Sequence, residues 1–222
     1  MVHFLDRVAF RPGAVRRYNA ISRNVLTRKD YFPAGVSVGV IHHPSNLVAF
    51  QNTAYDYLFT LSRLEGMKRI HWLLEAFLAT TIDREFRIAG VGSDEQRLRD
   101  MAACDPRVKF LGRITDDEVI RQYAGAMFVP FAPVDEDYGL ITIEAMHSGK
   151  PVLTCRDSGG VCEFIKNGVT GLSVKPDVRA LSEAMALMSD DEPWMREMGQ
   201  NARAQVEPIS WPATIRELLA SP

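Results

Sequence analysis

A regular alternation of short apolar runs with longer amphipathic segments begins at Tyr57 and limits this chain to few folds. Each run is bounded by Gly, Pro or Asp and is followed by a segment with helical periodicity. This pattern is typical of parallel strands joined by helices that cover both faces of one sheet. We therefore predict an α/β fold with a doubly wound parallel sheet. The predicted strands are residues 57–62, 85–90, 108–112, 126–131, 151–155 and 171–174.

Helices are predicted between these strands and after the last of them. One opens at TDDE (115–118), which has the capping-box pattern. A short helix is expected after Ser210. The other predicted helices cover residues 68–80, 94–104, the region around 141–146, the region around 161–165, 178–188 and 194–206.

Residues 1–50 do not follow the alternation. They contain an Arg-rich stretch, then VSVGVI and HHPSN, and only two strands and one short helix can be drawn there. Such a segment is too small to bury a core of its own. We predict that 1–50 are the remnant of a preceding N-terminal domain with its linker, that 51–206 form the ligand-binding domain, and that 207–222 form a C-terminal helix. The alternative is a natural N-terminal extension that packs on the sheet.

Charge and cysteine content exclude some functions. The 26 Lys and Arg against 28 Asp and Glu give a net charge of -2, so no overall positive field attracts nucleic acid or an anionic membrane. The three cysteines, Cys104, Cys155 and Cys162, form no CxxC pair, which favours a reducing, cytoplasmic compartment. No signal peptide and no apolar window near 18 residues is present, so we expect a soluble protein that can still lie on a membrane.

The loop after the first predicted strand carries two cations. Arg63 and Lys68 stand five positions apart across a turn that contains Gly66. Ligands of open parallel sheets bind beyond the carboxyl ends of the strands, and this pair at that edge suits a diphosphate, since Arg forks onto phosphate oxygens and Lys acts as a point charge. We therefore expect both side chains to converge there. The alternative is a solvated loop with ordinary basic residues.

The next two loops are rich in glycine. Gly90 and Gly92 permit a close approach of the backbone to a ligand, but Glu95 holds the third glycine position, so the dinucleotide fingerprint is absent. After the third strand, the main chain of Arg113 and Ile114 can read a flat base by hydrogen bonds. The alternative for the latter stretch is a tight turn.

The fourth loop, DEDYGLITIEAM, places acids on both sides of a predicted helix start. Gly139 allows a sharp turn, and the free N–H groups of Leu140 and Ile141 then face the cleft and favour an anion. Glu136 precedes this helix and Glu144 lies about one turn inside it, so both carboxylates can accept hydrogen bonds from the hydroxyls of one ligand. The alternative is a structural ion pair at Glu144 and a solvated acidic loop at 135–137.

Taken together, these stretches resemble the donor-binding C-terminal domain of retaining GT-B glycosyltransferases of the family four type. The similarity extends from Tyr57 to Val174, and the family's spacing of two glutamates separated by seven residues falls on Glu136 and Glu144. Residues 21–44 also resemble the end of that family's N-terminal domain and its linker. The stretches concerned are SRLEGMK, IAGVGS, VKFLGRI, EDYGLITIEAMHSGKPV and SGGVCEFIKNGVTGLSV.

The resemblance implies a role for each residue. Arg63 and Lys68 would hold the donor diphosphate and help it leave, and Glu136 would contact the transferred hexose. Glu144 would bind the ribose, and the Ile114 main chain would read the base. The backbone near Gly139, Leu140 and Ile141 would reach the sugar or its phosphate. Hydrogen-bond donors of the protein, held in fixed positions, would stabilise the charge on the leaving group without a metal.

The resemblance also implies a partner. Such enzymes use a second, N-terminal domain for the acceptor, and we expect it in the same natural chain or in another subunit. The predicted function is the donor-binding part of an enzyme that transfers a hexose from a nucleoside-diphosphate sugar to a glycan or lipid-linked acceptor. This chain alone should not catalyse transfer. Membrane contact at the inner face would occur through the missing domain.

Two alternatives and one donor preference accompany this prediction. A non-catalytic module that binds nucleotide sugars has nearly the same sequence signature. A sugar-nucleotide epimerase of the same fold is disfavoured, because it needs both domains and a different acid/base set. The motif EDYGLITIEAM is more similar to that of the family's mannosyltransferases than to that of its glucose-transferring members, which favours GDP-mannose as the sugar donor.

Overall fold

The computed structural model describes Val15, residues 17–103 and residues 105–220. Cys104 and most of the first sixteen residues lie outside these ranges, as does the end of the predicted C-terminal helix segment. The described chain begins with two short parallel strands, β1 (Tyr18–Ala20) and β2 (Val38–Val40), with helix α1 (Arg23–Leu26) and a 3-10 turn (Lys29–Tyr31) between them.

A six-stranded parallel sheet follows and confirms the predicted fold class. Its order is β5-β4-β3-β6-β7-β8, so the first and fourth strands along the chain are neighbours at the centre. This is the order of doubly wound nucleotide-binding sheets, and the change of direction between β3 and β6 opens a crevice at their carboxyl ends. The strands are β3 (Tyr57–Leu61), β4 (Phe86–Ala89), β5 (Val108–Gly112), β6 (Ala126–Pro130), β7 (Val152–Cys155) and β8 (Gly171–Val174).

Among residues 17–103 and 105–220, seven further helices connect or follow these strands. The predicted capping box is present at the start of α4, where Thr115 and Glu118 bind each other's backbone N–H groups. Asp177, Asp191 and Ser210 cap the last three helices with their side chains. The helices are α2 (Ile70–Leu78), α3 (Glu95–Ala102), α4 (Asp116–Gly125), α5 (Leu140–His147), α6 (Val178–Asp190), α7 (Glu192–Val206) and α8 (Trp211–Leu219).

The prediction of an α-helix around 161–165 is wrong, because this segment forms a 3-10 turn, Gly159–Phe164. It begins with two glycines, which disfavour an α-helix. The turn also lies directly against the loop after β6. The Gly160 N–H donates to the Glu136 carbonyl oxygen at 2.7 Å, and a Cβ on Gly160 would lie 2.4 Å from the Asp137 carbonyl oxygen.

Two apolar clusters cover the two faces of the sheet. Alternate residues of β3 point to opposite sides, so Leu58 belongs to one cluster and Phe59 to the other, and both are fully buried. Helices α2, α3 and α6 pack on the Leu58 side, whereas α4 and α5 pack on the Phe59 side. Buried faces on both sides explain the continuous apolar runs of the strands.

In the described part of the chain, no helix combines the length and apolarity that a membrane span requires. Cys155 and Cys162 are both free thiols, and Cys155 is buried.

Candidate functional site

The loops after β3, β6 and β7 meet at the carboxyl edge of the sheet, beside the crevice. The Val134 N–H donates to the Met67 carbonyl oxygen at 2.9 Å, which joins the first two loops. The Asp135 N–H donates to the Asp157 carbonyl oxygen at 3.0 Å, which joins the second to the third. This edge is where ligands of such sheets bind.

Lys68 and Glu136 form an ion pair at this edge. Lys68 ends a 3-10 turn (Gly66–Lys68) in the loop after β3, and Glu136 lies in the loop after β6. Their side chains are only 17% and 23% exposed. The structure thus joins two predicted site residues, and each neutralises the other's charge.

Arg63 lies apart from that pair, on a cleft of about 290 Å³. Its side chain is 71% exposed and pairs with Glu65 at 3.3 Å. The structure therefore shows one cation on the cleft and the other on Glu136, and the convergence of Arg63 and Lys68 on a diphosphate stays a prediction. The cleft gathers four predicted site residues, and its full lining is Leu61, Ser62, Arg63, Gly90, Val91, Arg113 and Ile114.

Gly90 and Gly92 have a packing role in addition to the predicted contact with a ligand. A Cβ on Gly90 would lie 1.8 Å from the Ser62 carbonyl oxygen, and one on Gly92 would lie 2.3 Å from the Leu64 carbonyl oxygen. The close backbone approach expected from the sequence is therefore made to the loop after β3. Both glycines let the two loops bordering the cleft pack together, and their contact with a donor stays a prediction.

Gly139 begins α5 with a left-handed backbone, at a φ of +80°. A Cβ there would lie 2.5 Å from Val161 Cγ2, so both backbone and space favour glycine. Gly139 makes no side-chain cap, and the N–H groups of Leu140 and Ile141 stand in the first turn, where no carbonyl of the same helix reaches them. The start of α5 thus leaves N–H groups without partners inside the helix, and their contact with an anion stays a prediction.

Glu144 is buried, with 6% of its surface exposed, and its partners are hydroxyl groups. Ser45 Oγ donates to one carboxylate oxygen at 2.6 Å, and Tyr123 OH donates to the other at 3.0 Å. Burial raises the pKa of this carboxyl, against the hydrogen bonds from Ser45 and Tyr123. Among the described residues, Glu144 forms no ion pair, so the alternative of a structural ion pair is wrong. No local pattern marks Ser45 or Tyr123 as its partners.

Sequence reasoning also missed Arg69, which links the loops after β3 and β7. Its guanidinium binds both oxygens of Asp157, at 2.8 and 2.7 Å, and lies over the Trp72 ring at 4.4 Å. The hydrogen bonds from Arg69 lower the pKa of Asp157. In GMKRIH nothing distinguishes Arg69, a structural residue, from Lys68 beside it.

The acids 135–137 are partly solvated, with the Asp135 and Asp137 side chains 60% and 46% exposed, but the two aspartates also form ion pairs. Arg28 pairs with Asp135 at 3.3 Å and with Asp137 at 2.5 Å. Within residues 17–103 and 105–220, no group of three His, Cys, Asp or Glu side chains is arranged to hold a metal ion.

Comparison with known proteins assigns this arrangement to a family. The sequence profile described as "Glycosyl transferases group 1" matches residues 49–205, which include the whole six-stranded sheet. The chain belongs to this family. A D-inositol 3-phosphate glycosyltransferase of Nocardia farcinica is 34% identical over 116 residues, 52% of this chain and 26% of that protein. The alpha-1,3/1,6-mannosyltransferase ALG2 of Dictyostelium discoideum is 25% identical over 173 residues, 68% of this chain and 41% of that protein.

Solved structures agree on the fold. The Anabaena protein HepE, crystallised with UDP and glucose, superposes with a TM-score of 0.82 at 19% identity, over 98% of this chain and 65% of that one. The six-stranded unit is thus the Rossmann-like α/β domain of GT-B glycosyltransferases. The chain spans between about a quarter and about half of the length of the curated relatives it matches.

Proposed function

We propose that this chain forms the donor-binding part of a retaining glycosyltransferase that takes a hexose from a nucleoside-diphosphate sugar. The observation that carries the proposal is the Lys68–Glu136 pair at the carboxyl edge of the sheet, where a cleft lined by Arg63 and Arg113 also opens. A cation for phosphate and a carboxylate for sugar hydroxyls thus stand side by side where such folds bind ligands.

The ion pair suggests how charge is exchanged when the donor binds. A diphosphate brings negative charge to Lys68, which releases Glu136 to accept hydrogen bonds from hexose hydroxyls. Lys68, Arg63 and the N–H groups at the start of α5 then face the charge that develops on the leaving nucleoside diphosphate. Cations and hydrogen-bond donors of the protein that are already in place before the reaction stabilise such charge at little cost in reorganisation.

Glu144 supplies the second part of the proposal. Its carboxylate already binds two hydroxyls in a buried setting, and a ribose offers hydroxyls of the same kind. We assign the base to the main chain of Ile114 on the cleft, beside Gly90.

For the donor, the motif around Glu136 favours GDP-mannose, and the Dictyostelium relative is named a mannosyltransferase. HepE was crystallised with UDP and glucose, which makes UDP-glucose the alternative to test. The acceptor would be a glycan or lipid-linked sugar held by a second domain. We place the reaction in the cytoplasm, with membrane contact through that domain.

Calorimetry with GDP, UDP and ADP, at low salt and without metal, tests the proposal. We expect Arg63→Ala to weaken nucleotide binding by about 1.5 to 3 kcal/mol, because hydrogen bonds to charged groups contribute that much. The matched control is Arg179→Ala, another exposed arginine paired with a nearby glutamate, Glu183, at 2.8 Å. No heat with any nucleotide, or equal affinities for both variants, would contradict the assignment.

A further inference from the structure

The segment Ser22–Arg28, which we name the brace, packs on the acidic loop 135–137 more than a hundred residues later. Ser22 Oγ donates to the Asp137 carbonyl oxygen. Asn24 Nδ2 donates to Asp135 Oδ1 at 2.8 Å and to the Glu136 carbonyl oxygen at 3.0 Å. The brace thus touches each of the three consecutive acids.

Arg28 adds charge to these contacts. Its guanidinium donates to the Asp135 carbonyl oxygen at 3.1 Å and forms ion pairs with the Asp135 and Asp137 carboxylates. One cation therefore compensates both acids that flank Glu136. The brace is anchored elsewhere too, because the Asn24 N–H donates to Glu163 Oε1 at 2.9 Å.

The backbone of the loop shows why such a support is needed. Asp135 has a φ of +45°, in the left-handed region, which aspartate adopts more readily than most residues with a Cβ but still at a cost in free energy. Such a conformation persists only where its surroundings determine it. Here the Asp135 N–H binds the Asp157 carbonyl oxygen, while Asn24 and Arg28 bind its carboxylate and its carbonyl.

Glu136 follows this residue directly, so its direction depends on the same contacts. Its carbonyl oxygen accepts hydrogen bonds from Asn24 Nδ2 and from the Gly160 N–H. The main chain of Glu136 is thus held from two sides, while its side chain forms the ion pair with Lys68.

We propose that Asn24 and Arg28 are positioning residues for the Glu136 carboxylate. This inference rests on the proposed contact of Glu136 with the donor hexose. The brace precedes the six-stranded sheet, so the placement of the chain before β2 sets the direction of a carboxylate at the far end of β6. Contact with the hexose then depends on the brace, whereas contact with the nucleotide does not.

Hydrogen exchange tests the support without a ligand. We expect Asn24→Ala and Arg28→Ala to speed exchange of the backbone N–H groups of residues 134–139 at least about tenfold, because lost contacts make local opening more frequent. Arg23→Ala is the matched control, since Arg23 is exposed in α1, the helix that contains Asn24, and forms no ion pair within the described chain. Unchanged exchange in both brace variants, with the thermal midpoint preserved, would overturn the proposal.

Binding tests the positioning itself. Asn24→Ala and Arg28→Ala should weaken the sugar nucleotide about 3- to 10-fold relative to the free nucleoside diphosphate, which should bind within about twofold of wild type. In the background of Glu136→Gln, the same substitutions should have no further effect on the sugar nucleotide, because the carboxylate they position is absent. Arg28→Lys, which keeps the charge, should restore part of the loss.

The two proposals fail in different ways. If Glu136→Gln weakens the sugar nucleotide but the brace variants do not, the donor site stands and the positioning role is wrong. If Glu136→Gln has no effect on the sugar nucleotide, the hexose role of Glu136 is wrong, and the positioning role falls with it even where the exchange result holds. Additive losses of brace and Glu136 variants would also contradict positioning, because they show independent effects.

Discussion

At the scale of single residues, the buried ionisable groups of this domain are stabilised by different kinds of partner. Glu144 is compensated by two hydroxyls, whereas Lys150 is surrounded by carbonyl oxygens and an aromatic ring. Lys150 Nζ donates to Asn52 Oδ1 and to the Ala54 carbonyl oxygen, both at 2.6 Å, and lies 3.8 Å from the centre of the Tyr55 ring. These contacts tie residues 52–55 to the start of β7.

Lys150 predicts a pH dependence of stability. Burial, and secondarily the nearby Arg196, lowers the pKa of Lys150 from 10.5 to about 7. Between these values the unfolded chain holds a proton that the folded chain has lost, so this residue makes the free energy of unfolding rise with pH. Urea unfolding of wild type and Lys150→Met at several pH values measures it. The free energy of unfolding of wild type minus that of Lys150→Met should rise as the pH increases above about 7. A difference that stays constant with pH would contradict a depressed pKa of Lys150.

At the scale of elements, the start of α5 couples the fold to the site. The left-handed backbone of Gly139 lets the chain turn between Glu136 and the first free N–H groups of the helix. Val161, in the 3-10 turn after β7, packs against this glycine. A change at this point should therefore affect folding and anion binding together.

Gly139→Ala tests that coupling, with Gly168→Ala as the matched control. Both glycines have a φ near +80°, at +80° and +76°, but a Cβ on Gly168 meets nothing within 4 Å. We expect the control to lose about 1 kcal/mol of stability from its backbone alone. Gly139→Ala should lose more, since its methyl group contacts Val161, and only this variant should weaken nucleotide binding. Equal stability losses with unchanged affinity would contradict the account.

At the scale of the whole molecule, local patterns predict the sheet and long-range contacts form much of the site. Short runs between turn residues locate β5 and β8 at their observed bounds, although both are edge strands and are only partly buried. The pairing of Ser45 with Glu144, or of Arg28 with Asp135, joins residues about a hundred positions apart, and no periodicity encodes it. The spacing of Glu136 and Glu144 in the sequence was enough to predict the site, whereas the ion pair of Lys68 with Glu136 became visible only in the folded structure.

The central claim is that Glu144 binds the nucleotide and Glu136 the hexose. Calorimetry of Glu144→Gln and Glu136→Gln against GDP and GDP-mannose, then UDP and UDP-glucose, tests it most directly. Glu183→Gln, on the exposed face of α6, is the matched control. We predict that Glu144→Gln weakens the free nucleotide by about 1 to 3 kcal/mol, because a charged acceptor is lost. Glu136→Gln should weaken only the sugar nucleotide. Equal losses of both variants on the free nucleotide would contradict the account.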